Sequence, residues 1–238
     1  MGLFSTRRGF VSAVIVAAGA SLRMGQNKTF MELDGEPVIL RTLRIFQASS
    51  AVSEIIAVCR EEDLERLATL GLSGGITKLA HVVMGGASRP LSVYNGLLAV
   101  SKKASLIAVH DGARPLVTQK IIADTIRRAA KSHAAAPAVP VKATVKQAKN
   151  GIVIATPDRA SLFEAQTPQV FDADLLRGAT AFAISRGLEA TDDCAAVEAL
   201  GATVYLTEGS YENIKITTPE DIAIAEAILA KRSLAAAV

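Results

Sequence analysis

The chain of 238 residues is long enough to bury a sizeable core, and 50% of it is hydrophobic. It has no Trp and is only 4% aromatic, so Ala, Val, Ile and Leu must fill that core, as in a parallel sheet covered by Ala-rich helices. A net charge of +3 is too mild for a nucleic-acid surface, two cysteines exclude a disulfide framework or Cys-based zinc site, and no run reaches the ~20 apolar residues that span a bilayer.

In chain order, residues 1–10 read as a loose leader. "STRRGF" superficially offers a twin-arginine signal, and Gly2 with Thr6 loosely matches a myristoylation pattern. The rival reading makes Val11–Ala17 the first buried strand, which cleavage would delete, and the strand is preferred. Further strands are expected at Glu54–Cys59, Leu79–Met84, Leu106–His110, Ala138–Val141 and Ala202–Leu206. Between them, "PVILRTLRIFQAS", "EEDLERLATL", "PLSVYNGLLAVS" and "TQKIIADTIRRAAKS" place apolar residues at helical spacing. A last helix starts where Thr218 can cap, Pro219 takes the first position, and Glu220 and Asp221 complement the dipole.

This alternation predicts an α/β fold, a mostly parallel doubly wound sheet with right-handed crossovers and no repeat or linker. One domain is expected over 11–232, with a tail at 233–238. One region breaks the rhythm. In "VKATVKQAKNGIVIATP", Asn150-Gly151 separates two β-like runs, which signals an inserted hairpin arm at about 141–160. It has little core of its own, so it packs either on a partner subunit or back on its own domain. Cys59 and Cys194 read as reduced, buried thiols, which suits a cytoplasmic protein.

Four segments could carry chemistry. In "VSAVIVAAGASLRMGQNK" the spacing fits neither a P-loop nor a dinucleotide fingerprint. The backbone N–H groups after Ala17, at Ala18, Gly19 and Ala20, can approach an anion closely, with Arg23 and Lys28 to grip phosphate oxygens. The same stretch would also serve as a helix lead-in with solvated basic residues. In "MGGASRPLSV", Gly85-Gly86 could face a flat base, followed by Arg89 and Ser92 on a helix start, or could simply ease a turn.

In "IAVHDGARP", an apolar strand ends in His110-Asp111, then Gly112 and Arg114. A buried carboxylate there must be paired or bind a metal, and Mg²⁺ commonly takes one carboxylate plus substrate phosphates. Asp111 is therefore the first choice of ligand, with a structural pair to Arg114 as the alternative. His110 reads as a hydrogen-bonded structural residue. In "ENIKITTPEDI", Lys215 lies on a short strand before the last helix, either solvated or turned inward.

The ordered set "AAGASLRMGQNK", "GGASRPLSV", "HDGARP", "TPQVF", "TDD" and "NIKITTPEDI" closely resembles the 2-C-methyl-D-erythritol 4-phosphate cytidylyltransferase family, from about Val11 to Ala230. The resemblance implies a Rossmann-like nucleotidyltransferase fold, Mg²⁺ dependence, and transfer of CMP from CTP to a sugar-alcohol phosphate. It implies that Arg23, Lys28 and Lys215 are catalytic. Ala17, Ala18, Gly19, Gly85, Gly86, Ser92, Asp111 and Gly112 would bind the nucleotide, and Asp111 the metal. Arg114, Thr167 and Thr191 would bind the acceptor, joined by Thr144 and Arg159 from the arm of a dimer partner.

Two departures stand out. Asn27-Lys28-Thr29 replaces the family's usual Pro-Lys-Gln, and "RMGQNKTFMELDGEPVILRTL" also reads like a molybdenum-cofactor guanylyltransferase. Ribitol 5-phosphate cytidylyltransferases are a nearer alternative, usually with Val-Arg-Pro where Ala113-Arg114-Pro115 stands. A nucleotide sensor on the same fold is the non-enzymatic rival.

Overall fold

In the computed structural model, residues 9–19, 28–188 and 190–236 are described. The first strand, β1 (Phe10–Val16), is buried from Val11 to Ile15. A 3-10 turn at Lys28–Phe30 follows, then a small hairpin of β2 (Glu32–Leu33) and β3 (Glu36–Pro37). Next come α1 (Val38–Ala48), β4 (Glu54–Cys59), α2 (Leu64–Ser73), β5 (Leu79–Met84), α3 (Arg89–Ala99), β6 (Ala104–Asp111), α4 (Gln119–Ser132) and β7 (Ala134–Pro140). The chain continues through β8 (Gln147–Lys149), β9 (Ile152–Ala155), β10 (Phe163–Ala165), β11 (Gln169–Asp172), α5 (Ala173–Ser185), α6 (Asp193–Ala199), β12 (Tyr205–Glu208) and α7 (Glu220–Ala236).

Eight strands form the main sheet. β1 lies between β4 and β6, parallel to both, and β5 extends the sheet beside β4. β11 runs antiparallel to β6 and to β7. β12 pairs parallel to the other edge of β7, since Ala135 faces both Val170 and Tyr205. β10 also runs along β7, so β10 and β11 follow one another on one edge, separated by Gln166 and the cis Thr167–Pro168 bond.

Alternation along the strands divides the core into two layers. Val11, Ala13 and Ile15 face Leu43 and Phe46 of α1, Leu67 of α2 and Ile121 and Ile122 of α4. Val14 faces the other way, towards Val93 and Leu97 of α3, Leu176 of α5 and Val197 of α6. Leu43 is fully buried, so Leu43→Ala would cost about 2–5 kcal/mol. A third cluster beneath α7 holds Leu33, Val38, Leu116, Ile216 and Ala225.

Because the chain leaves β1 first towards β4 and β5 and returns later to β6, the connections diverge at the carboxyl ends of β1, β4 and β6. That divergence opens a crevice there, the usual ligand position on such a sheet.

Several elements differ from the sequence reading. β7 starts at Ala134, because Ala134–Ala136 are buried between two neighbouring strands, although Ala has little strand preference of its own. The predicted strand at Ala202–Leu206 lies at Tyr205–Glu208, where β7 supplies its partner. β10, β11, α5 and α6 were not anticipated.

Lys215 sits in an irregular segment that is not a strand. Ile216 N–H donates to the Ala113 carbonyl at 2.8 Å, one bond where a ladder needs several. α7 continues past 232 to Ala236, consistent with the helix preference of its Ala-rich end. The hairpin is where Asn150-Gly151 put it, with φ of 51° and 79° at the two turn residues, and β8 pairing with β9.

Candidate active site

The crevice is a cavity of about 490 Å³ lined by the end of β1, the start of α3, Asp111 and Lys215. Ala17, Ala18 and Gly19 form one wall. The Ala17 N–H is used internally, donating to the Val58 carbonyl at 2.7 Å, and a Cβ built on Gly19 would meet nothing within 4 Å. Backbone can therefore be approached closely at Gly19. Arg23 lies outside the described residues. Lys28 opens the 3-10 turn, and its side chain is also outside them.

Against this wall packs the turn between β5 and α3. Gly85 N–H donates to the Cys59 carbonyl at 2.7 Å, and a Cβ at Gly85 would collide with the Ala18 side chain. A Cβ at Gly86 would collide with Leu91. Both glycines are thus required by close approach. Ser92, buried in the first turns of α3, ties this loop down: it accepts from Gly86 N–H at 3.1 Å and donates to the Ser88 carbonyl at 2.9 Å. Ser88 caps α3, accepting from Leu91 N–H.

The far wall is Asp111, at the carboxyl end of β6. Lys215 Nζ lies 2.9 Å from one carboxylate oxygen, Arg114 Nε 3.4 Å from the same oxygen, and an Arg89 nitrogen 3.5 Å from the other. Burial alone would raise the Asp111 pKa, but Lys215, Arg89 and Arg114 outweigh it and hold the carboxyl well below the usual range. It is therefore always ionised near neutrality. Arg114 also donates to the Asn213 carbonyl at 2.7 Å, which connects the "HDGARP" turn to the segment carrying Lys215.

Behind Asp111 the polar bonds settle the proton positions. His110 Nε2 is 3.2 Å from the Arg114 carbonyl, which can only accept, so Nε2 carries the proton. Nδ1 is then bare and accepts from the Thr167 hydroxyl at 2.9 Å. That hydroxyl in turn accepts from Asp111 N–H at 3.1 Å. Burial pushes the His110 pKa down to about 4, so the ring is neutral. Both nitrogens are occupied, which leaves His110 no base function.

Arg89 is held from the other side by Asp193, 2.8 Å away. Burial pushes the Asp193 carboxyl up against the pull of Arg89. Gln169 accepts from Asp193 N–H at 2.9 Å and donates to Asp192 at 2.7 Å, fixing the start of α6.

The structure thus gathers Ala17, Ala18, Gly19, Gly86, Ser92, Asp111 and Lys215 on one cavity. Arg114 and Thr167 bond directly to Asp111, and Gly112 N–H closes the turn on the Val16 carbonyl at 2.8 Å. Thr191 is exposed and borders the outer side of Arg89. Thr144 and Arg159 are exposed on the arm and do not line this cavity, although Arg159 donates to the Lys142 carbonyl at 2.8 Å.

The sequence reading missed Arg60, which lines the cavity just past β4, and Asp193, which positions Arg89. Arg60 carried a usable signal, a charged residue directly after a buried strand, the same logic that found Asp111.

The arrangement can bind a polyanion against backbone at one end and cations at the other. As for a metal, Asp111 is the one carboxylate among the described lining residues, and no cluster of three or more metal-ligating side chains occurs among the described residues. A single, permanently ionised carboxylate suits an ion that arrives with substrate phosphates better than a caged resident ion.

The profile of the family described as 2-C-methyl-D-erythritol 4-phosphate cytidylyltransferase matches residues 11–231. A relative of that name from Pelotomaculum thermopropionicum is 46% identical over 227 residues, covering 93% of this chain and 95% of its own. Another, from Alkaliphilus oremlandii, is 44% identical and covers 93% and 95%.

Among solved structures, the 4-diphosphocytidyl-2C-methyl-D-erythritol synthase of Anaerococcus prevotii superposes with a TM-score of 0.83 at 33% identity, covering 93% and 96%. The Thermus thermophilus cytidylyltransferase gives 0.76 at 34%, covering 91% and 97%. No described helix is long and apolar enough to cross a membrane. With the family matched over nearly its whole length and the site's pieces in one crevice, this chain belongs to the 2-C-methyl-D-erythritol 4-phosphate cytidylyltransferase family.

Proposed function

We propose that the chain transfers CMP from CTP to 2-C-methyl-D-erythritol 4-phosphate, giving CDP-methylerythritol and pyrophosphate in isoprenoid precursor synthesis. The observation that carries the residue roles is the convergence of Lys215, Arg114 and Arg89 on Asp111, across one cavity from the Ala17–Gly19 backbone. Cytosine would lie against Gly85, Gly86 and Ser92, and the triphosphate against Ala17–Gly19, Arg23 and Lys28.

In the reaction an oxygen of the acceptor's phosphate attacks the α-phosphorus of CTP in line. A new P–O bond forms as the α–β bridging bond breaks, and pyrophosphate takes the electron pair. The nucleophile is already an anion, so no general base is needed, in keeping with a neutral, fully bonded His110. The protein's part is positioning and charge compensation. Asp111 gathers three cations that would otherwise repel one another, and keeps Lys215 beside the place where the two phosphates meet.

Mg²⁺ would be held by Asp111 together with the triphosphate, and would supply charge neutralisation there. Arg114, Thr167 and Thr191 would bind the acceptor. Thr167 donates its proton to His110, so it can offer an acceptor only a lone pair. The arm exposes Ile152, Val153 and Ile154 at 70%, 55% and 59%, an apolar strip that its own domain does not cover. That strip supports a homodimer in which Thr144 and Arg159 reach the partner's site. The buried free thiols of Cys59 and Cys194 suit the reducing cytoplasm.

The test is pyrophosphate release. CTP with methylerythritol phosphate should turn over, whereas ribitol 5-phosphate as acceptor, or GTP with molybdopterin, should not. CTP binding without pyrophosphate release would instead make the chain a nucleotide sensor.

A further inference from the structure

Arg60 stands apart from the residues that the family resemblance assigns. It is the first residue after β4, at the carboxyl edge of the sheet, and its side chain lines the cavity. One terminal nitrogen donates to the Gly19 carbonyl at 2.9 Å. The other lies 3.5 Å from Glu62, a carboxylate 66% exposed, where an ion pair contributes little. The Nε–H is buried and has no partner among the described residues. A guanidinium has five N–H donors in a rigid fork, and among the described residues it makes one good bond, to backbone on the cavity wall. A buried orphan donor beside a ligand cavity calls for a physical reason.

We infer that Arg60 is a positioning residue for the triphosphate of CTP, acting through the Gly19 peptide. The inference rests on the reading that the Ala17–Gly19 backbone faces the phosphates. A carbonyl oxygen carries partial negative charge, so the Gly19 carbonyl would repel any phosphate brought against the same run of backbone. Bonding to Arg60 ties that oxygen to a cation on the β4 side and offsets its charge. The guanidinium also adds a positive charge to the same cavity, from the β4 side of β1, whereas Asp111 ends β6 on its other side. Both effects grow with the number of phosphates on the ligand and are nearly blind to the base.

The experiment is calorimetric binding of CTP and CMP to the full-length chain, with steady-state kinetics alongside. For Arg60→Ala, CTP affinity should fall about tenfold, the scale of one charged hydrogen bond, while CMP affinity falls less than about twofold. The KM for the acceptor and the melting temperature should barely change. Arg60→Lys, which keeps the charge and one donor, should restore most of the CTP affinity. Unchanged CTP affinity in Arg60→Ala would overturn the inference, and so would equal losses for CTP and CMP. A loss that tracks a falling melting temperature, without rescue by Lys, would also overturn it by making the role structural. A wild-type chain that binds CTP but releases no pyrophosphate would sink the enzymatic reading and leave this comparison intact.

Discussion

Lowering the pH from 7 to 5 should destabilise the protein through His110, and substituting His110→Gln should remove that sensitivity. The ring is fully buried, and its pKa is pushed from 6.5 down to about 4, chiefly by burial. Between those values the unfolded chain takes up a proton that the folded chain refuses, so stability falls as pH falls. From the two pKa values the loss is about 2 kcal/mol at pH 5, rising towards about 3 kcal/mol near pH 4.

Above pH 6.5 the slope from His110 fades, because the unfolded chain also loses the proton. Asp111 acts in a lower window. Its depressed pKa gives stability that is present above 3.8 and is lost as pH falls below it. Asp193, pushed up by burial, has the opposite sign and cancels when wild type and variant are compared. Gln can accept from Thr167 or donate to the Arg114 carbonyl without titrating. The assay is urea unfolding of both proteins at pH 7, 6 and 5 in metal-free buffer. Parallel stability profiles, differing by less than about 0.5 kcal/mol in their change from pH 7 to 5, would refute the assignment of a buried, neutral ring.

Lys28→Ala, Lys215→Ala and Asp111→Asn should each lower turnover by about 10²–10³ with the fold retained, as measured by pyrophosphate release, and near wild-type turnover would end their assignment. Gly112→Ala should weaken both stability and CTP binding. Its Cβ would sit 2.8 Å from Ile39, 3.1 Å from the Ala17 side chain and 3.2 Å from the Val16 carbonyl, in the turn that presents Asp111. Sedimentation should give a dimer for the wild type and a monomer for an Ile152→Asp, Ile154→Asp double variant, whereas a monomeric wild type would contradict the arm's proposed role. Native protein should resist thiol labelling at pH 8, because both cysteines are buried and the Cys59 thiol is pushed up to about 12 by burial and by Asp63 and Glu62, whereas labelling should become fast in urea.

Much of this was legible in one dimension because the signals are local. An apolar run followed by a charged residue marks a strand end at the ligand edge, which located Asp111 from "IAVHD" alone. Asn150-Gly151 fixed the arm's turn because its backbone angles are a local property of those two residues. The alternation of strands with helically spaced segments gave the sheet class for the same reason.

What the sequence withheld depends on neighbours remote along the chain. Ala134–Ala136 become a central strand only because β11 and β12 close on both edges, and β11 itself follows from hydrogen bonds to β6, about sixty residues earlier. The even choice between a solvated and an inward Lys215 was settled by a carboxylate 104 positions earlier, and the tautomer of His110 by a threonine 57 positions later. Sequence therefore determined which chemical groups this protein owns and where its strands end. Only tertiary structure decided which charges meet, since pairing energies fall off over a few ångströms of space and take no account of distance along the chain.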